Sequence, residues 1–214
     1  MRPYAVEGLD CSGKKTITRI VEVLLRQQGL QPQIVIGPLI GGALGRLDAR
    51  LANLTGPVGR GSATDLLRRS LYVAEPVIDH IAPRATDTPV LKVSTHLRAW
   101  ARAELEDDRL MVRLYSATSS IHGRFAGAAL LHTDFPVRLE RHRADAGAGR
   151  TAKDAARRFF GPDSDAFARW HNNLDRLMTA QVPHVLRLDS TTTDPAELAT
   201  QIARHATSCW ERDQ

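Results

Sequence analysis

The first 28 residues restrict this chain more than any others. Tyr4-Ala5-Val6 is a short apolar run ending at Glu7-Gly8, which reads as a buried strand stopped by a turn. From Lys15 to Gln28 the residues Ile17, Ile20, Val21, Val23, Leu24 and Leu25 recur with helical spacing, and Gly29 supplies the stop. Between them lies Gly8-Leu9-Asp10-Cys11-Ser12-Gly13-Lys14, which matches a phosphate-binding loop in Gly8, Gly13 and Lys14. In such a loop, glycines let the backbone turn tightly so that its N–H groups face phosphate oxygens. The lysine reaches the outer phosphates, and a following Ser or Thr hydroxyl binds Mg²⁺. Lys15 stands where that hydroxyl is expected. Thr16 offers one a residue later, about 100° further around the helix. Three readings stay open: a shifted loop in which Thr16 reaches the metal through water, weaker metal binding, or positive charge from Lys15 itself.

The rest of the chain repeats the alternation. Apolar runs at Gln33–Ile36, Pro89–Val93, Ala128–His132 and His184–Asp189 read as strands. Helical patterns are expected from Gly41 to about Leu54, from Ser62 towards Ile81 with a kink at Pro76, and from strand three to about Leu105. Others follow at Val137–Ala144, 151–160 and 163–181, with a last helix from Asp194-Pro195 to near Cys209. Residues 106–127 give no clear assignment, although Leu110 to Leu114 can continue a helix. Five strands separated by helices predict an α/β layer fold with a mainly parallel sheet. With 214 residues, 43% hydrophobic content and no internal repeat, one domain is expected.

The net charge is +5, and only four of the 29 basic residues are lysines: Lys14, Lys15, Lys92 and Lys153. Much of the arginine accompanies abundant alanine and reads as compositional bias, so only clustered arginines carry weight. At 5% aromatic content there is no stacking platform for nucleic acid. No apolar run approaches the roughly 20 residues that span a bilayer, so no membrane role is expected. Cys11 and Cys209 have neither metal-ligand nor disulfide spacing, which suits free thiols in a cytoplasmic protein.

The opening segment, Tyr4-Ala5-Val6-Glu7-Gly8-Leu9-Asp10-Cys11-Ser12-Gly13-Lys14-Lys15-Thr16, resembles that of the thymidylate kinases. Glu7-Gly8 and Asp10 are the features beyond the generic loop. Pro38 to Gly45, Leu130 to Val137, Leu139 to Arg143 and His184 to Pro195 are similar to later segments of that family in order and spacing. The resemblance implies a P-loop kinase fold with a small basic lid at about 138–160. It also implies ATP and Mg²⁺ as cofactors, transfer of the γ-phosphoryl to a nucleoside monophosphate or another small-molecule acceptor, and a homodimer.

By the same resemblance, Gly8, Asp10, Cys11, Ser12, Gly13, Lys14, Lys15 and Thr16 would contact ATP, with Thr16 the candidate metal ligand. Lid arginines would neutralise the migrating phosphoryl group. Residues 138–158 hold Arg138, Arg141, Arg143, Arg150, Arg157 and Arg158, of which Arg143 and Arg150 are, with Lys14, the preferred catalytic residues. The acceptor half departs from the family. Where an Asp-Arg pair follows its third strand, this chain reads Val90-Leu91-Lys92-Val93-Ser94-Thr95-His96. Asp10, Arg69, Tyr72, Ser94, His96 and Arg98 are the acceptor candidates that remain. A degenerate nucleotide-binding protein with little or no kinase activity is the alternative.

Overall fold

The computed structural model describes residues 1–36, 73–74, 88–119, 124–147 and 164–213. Expected helices over 41–54 and 151–160, and all of 62–81 except the helical Val73 and Ala74, lie outside these residues, as do Pro38 to Gly45, Arg69, Tyr72 and Arg150.

Among the described residues five strands form one sheet: β1 (Tyr4–Gly8), β2 (Gln33–Ile36), β3 (Val90–Val93), β4 (Gly127–His132) and β5 (Val185–Asp189). Their order is β2-β3-β1-β4-β5, and every pairing is parallel rather than mainly so. Parallel strands covered on both faces carry continuous apolar runs. Accordingly all of β1 is buried, as is β4 apart from His132.

Six helices cover the sheet among the described residues: α1 (Lys14–Gln27), α2 (His96–Leu105), α3 (Arg109–Thr118), α4 (Phe135–Gly147), α5 (Ser164–Gln181) and α6 (Pro195–Arg212). Successive strand residues point to opposite faces. Tyr4, Val6, Ala129 and Leu131 therefore pack with Ile17, Val21 and Leu25 of α1 and Leu198 and Ile202 of α6. Ala5, Ala128 and Leu130 pack with Leu97 and Trp100 of α2 and Phe167, Trp170 and Leu174 of α5. All three tryptophans are buried, as amphipathic-helix packing requires.

Local chemistry sets the helix starts. Thr95 caps α2 by accepting the Leu97 N–H, and the Asp194 carboxylate caps α6 by accepting those of Ala196 and Glu197. Between α2 and α3 the chain breaks at Asp107, whose φ of 52° no helix holds, and Asp108 then caps a new helix through the Met111 N–H. The region without a clear assignment thus contains a second helix rather than a continuation of the first. No helix among the described residues is long and apolar enough to cross a membrane.

The fold places the glycine loop at a special point. The connection from β1 runs past β3 to β2, whereas that leaving β3 returns across β1 to β4. The carboxyl end of β1 is therefore where the strand order changes direction, the usual ligand crevice of an open parallel sheet.

One packing site tests this arrangement. A Cβ on Gly127 would lie 2.5 Å from Cys209 Sγ and 3.2 Å from the His184 carbonyl oxygen. Gly127→Ala is expected to destabilise the protein by about 1–3 kcal/mol in denaturant titration. Adding Cys209→Ala, which removes the nearest atom, should recover part of the loss.

Candidate functional site

At Gly8 the strand ends with φ 152°, and a Cβ would lie 2.7 Å from both the Leu131 carbonyl oxygen and Ser12 Oγ. Only glycine fits there. Cys11 (φ 60°) and Gly13 (φ 83°) then turn the chain through left-handed geometry, and the Ser12 N–H donates to the Leu9 carbonyl. Gly13 occupies the N-cap position of α1 without any side-chain cap, and no acidic residue lies in the first turn. The N-terminal amides of α1 therefore keep their capacity to bind an anion.

Lys14 is buried and turns back into the loop. Its ammonium donates to the carbonyls of Gly8 and Leu9, each at 2.7 Å. Its pKa is lowered to about 8, first by burial and then by Arg98 and Arg138, against the opposing pull of Asp10 and Glu7. Lys15 and Thr16, the next two residues, are both exposed. Ser12 is buried, and its Oγ has no hydrogen-bond partner.

Glu7 joins two parts of the site. Its fully buried carboxylate accepts the Gly8 N–H at 2.9 Å through Oε2 and the Thr95 N–H through Oε1. It thus ties the loop to the start of α2, where Ser94 adopts φ 66° and donates its N–H to the Val6 carbonyl. Glu7 thus bonds both to the start of the loop and to the residue that caps α2. One turn into α2, Arg98 Nη1 pairs with Asp10 Oδ1 at 2.5 Å. Asp10 Oδ2 is buried without a hydrogen bond. His96 stacks against Phe125 at 6.5 Å between ring centroids.

Guanidinium groups approach the loop from α4. Arg138 donates to the Asp10 carbonyl from Nε at 2.7 Å and from Nη2 at 2.5 Å, and it lies 4.1 Å from the centre of the Phe167 ring. Burial lowers its pKa to about 10, with Arg98 also lowering it while Asp10 and Cys11 act the other way. Arg141 donates to the Ser190 carbonyl at 2.8 Å and to the Cys11 carbonyl at 3.4 Å. Arg143, favoured from the sequence, is exposed. The three-residue spacing that puts Arg138 and Arg141 on one side of α4 was readable, but nothing local showed which side meets the loop.

Beside the loop, a cavity of about 180 Å³ is bordered by Leu9, Ser12, Leu131, Phe135, Phe167 and His171 among others. His171 lies edge-to-face with His132 at 4.7 Å. Its pKa is lowered to about 4, first by burial and then by His132 and Arg138, with Asp175 opposing. His171 is thus neutral in the folded protein at pH values where the unfolded chain, with an ordinary imidazole near 6.5, takes up a proton. That uptake favours unfolding, so the His171 contribution makes stability rise with pH between about 4 and 6.5. Denaturant titrations across this window should show a shallower pH slope in His171→Phe than in the natural chain.

Compared with known proteins, the sequence matches no protein-family model and no curated protein.

Proposed function

We propose that the chain is an ATP-dependent phosphotransferase of the P-loop kinase fold that resembles the thymidylate kinases and acts in the cytoplasm. It moves the γ-phosphoryl of ATP to a nucleoside monophosphate, either dTMP or an altered acceptor. The carrying observation is Lys14, whose ammonium is buried against the Gly8 and Leu9 carbonyls at the uncapped N-terminus of α1. A cation so placed, with free amides at the helix start, suits the outer phosphates of a nucleoside triphosphate.

The residues present fit the phosphates of ATP. Lys14 exchanges its two carbonyl partners for phosphate oxygens, and Ser12 Oγ, buried without a partner, is available as a further donor. For Mg²⁺, which when bound neutralises charge on the transferring phosphates, the residues that would hold it are Asp10, through its unpartnered Oδ2, and Thr16. Arg98, in the first turn of α2 and paired with Asp10, is the candidate to take the place of the absent family arginine. Ser94, on the connection from β3, and His96, which opens α2, precede it.

A second reading, a nucleotide-binding protein with little or no catalysis, draws support from two observations. Lys15 and Thr16 are both exposed, and Asp10 is already paired with Arg98. Coupled assay of ADP release with a panel of nucleoside monophosphates separates the readings. Mg²⁺-dependent turnover with at least one acceptor supports the kinase, and turnover with none sinks it.

Lys14→Met is expected to weaken ATP binding by tenfold or more, from the loss of charge-assisted hydrogen bonds of about 1.5–3 kcal/mol. Titration calorimetry measures it. In the natural chain, affinity should fall as pH rises through about 8, where Lys14 loses its proton. By pH 9 the loss should approach about tenfold, and Lys14→Met should lack this decline.

A further inference from the structure

We propose that Arg138, seconded by Arg141, is a positioning residue that holds the outer peptide groups of the glycine loop and so sets the direction of its amides. This rests on reading the loop as a phosphate site. The sequence would make the arginines of α4 catalytic cations that reach the migrating phosphoryl group. The geometry gives these two another role.

Arg138 is buried, fixed against the Phe167 ring, and directs two donors at a single atom, the Asp10 carbonyl oxygen. A trans peptide points its C=O and N–H in opposite directions. Drawing the Asp10 carbonyl towards α4 therefore turns the Cys11 N–H away from it. Arg141 acts on the next peptide through the Cys11 carbonyl, while its stronger bond goes to the Ser190 carbonyl. Ser190 is itself anchored: its Oγ lies 2.5 Å from Thr133 Oγ1 and shares its one proton between the carbonyls of His132 at 3.0 Å and Ser12 at 3.1 Å. The loop's outer carbonyls at Asp10 and Cys11 are thus each met by a guanidinium from α4, and that of Ser12 lies beside the Ser190 hydroxyl.

Such holding has a local purpose. Cys11 carries φ 60°, a conformation unfavourable for any residue with a Cβ. The bonds to the carbonyls on either side of it keep Cys11 there. A glycine at position 11 would adopt the same geometry unaided. A positioning role and direct phosphate contact therefore predict different responses to one substitution.

The experiment compares the natural chain with Arg138→Met, Arg141→Met, Cys11→Gly and the Cys11→Gly/Arg138→Met double variant. Hydrogen exchange of the Gly8–Lys14 segment is followed without ligand, and ADP affinity by calorimetry. Arg138→Met should speed loop exchange and weaken ADP binding by about tenfold each, as loss of charged hydrogen bonds implies. Arg141→Met should act in the same direction but less. Cys11→Gly should restore most of the ADP affinity lost in Arg138→Met.

Unchanged loop exchange in Arg138→Met overturns the proposal. So does a double variant that binds ADP as weakly as Arg138→Met alone, which would mean that Arg138 touches the phosphates directly. If circular dichroism shows Arg138→Met unfolded, the half-buried Arg141 decides, and unchanged exchange in Arg141→Met counts against the clamp. If the natural chain binds no ADP, the functional reading fails, while the exchange comparison still decides whether the arginines hold the loop.

Discussion

A lysine ammonium held below the surface by two backbone carbonyls is the constraint on which the site depends. Removing a cation from water is costly unless strong partners replace the solvent. Lys14 has two, the carbonyls of Gly8 and Leu9, and neither carries a full charge. That incomplete compensation shows in a pKa lowered to about 8. It also explains the shape of the loop. For two successive carbonyls to converge on one nitrogen, the chain must leave β1 abruptly at Gly8 and pass through left-handed geometry before α1 begins. An arriving polyanion would give this ammonium better partners than the ones it has.

Around that cation the fold gathers charge from separate elements. Asp10 lies among Lys14, Arg98 and Arg138, which come from α1, α2 and α4. Glu7 ties the end of β1, where the loop starts, to the beginning of α2, because its carboxylate accepts the Gly8 N–H and that of Thr95, the residue that caps α2. A carboxylate buried this deeply is acceptable because it receives hydrogen bonds from both sides. Its position on β1, on the same face as Ala5, brings the glycine loop and the connection from β3 to α2 together.

Much of the fold was legible because its signals are local. The run Tyr4-Ala5-Val6, the spacing from Ile17 to Leu25, and the pair Asp194-Pro195 each name their element through short-range physics, and the structure places those elements within a few residues of expectation. The break between α2 and α3 was not legible, since Asp107 and Asp108 read equally as a polar helical surface and as a stop followed by a cap. In the site, the importance of Lys14 could be read from seven consecutive residues. The partners of Asp10 could not. Arg98 lies 88 positions away and Arg138 lies 128 positions away, so only the folded sheet reveals the pairing. The same holds for Arg141 and Ser190, which meet from opposite sides of β5 in the chain order.

On the proposed reading, Lys14 rests on the loop carbonyls and moves to phosphate when nucleotide arrives. A crystal structure with a non-hydrolysable ATP analogue and Mg²⁺ tests it most directly. The expected result is the analogue's outer phosphates over the Gly8–Lys14 loop, with Lys14 Nζ moved from the Gly8 and Leu9 carbonyls to phosphate oxygens. An analogue bound elsewhere, or one seated on the loop while Lys14 keeps both carbonyls, would contradict it.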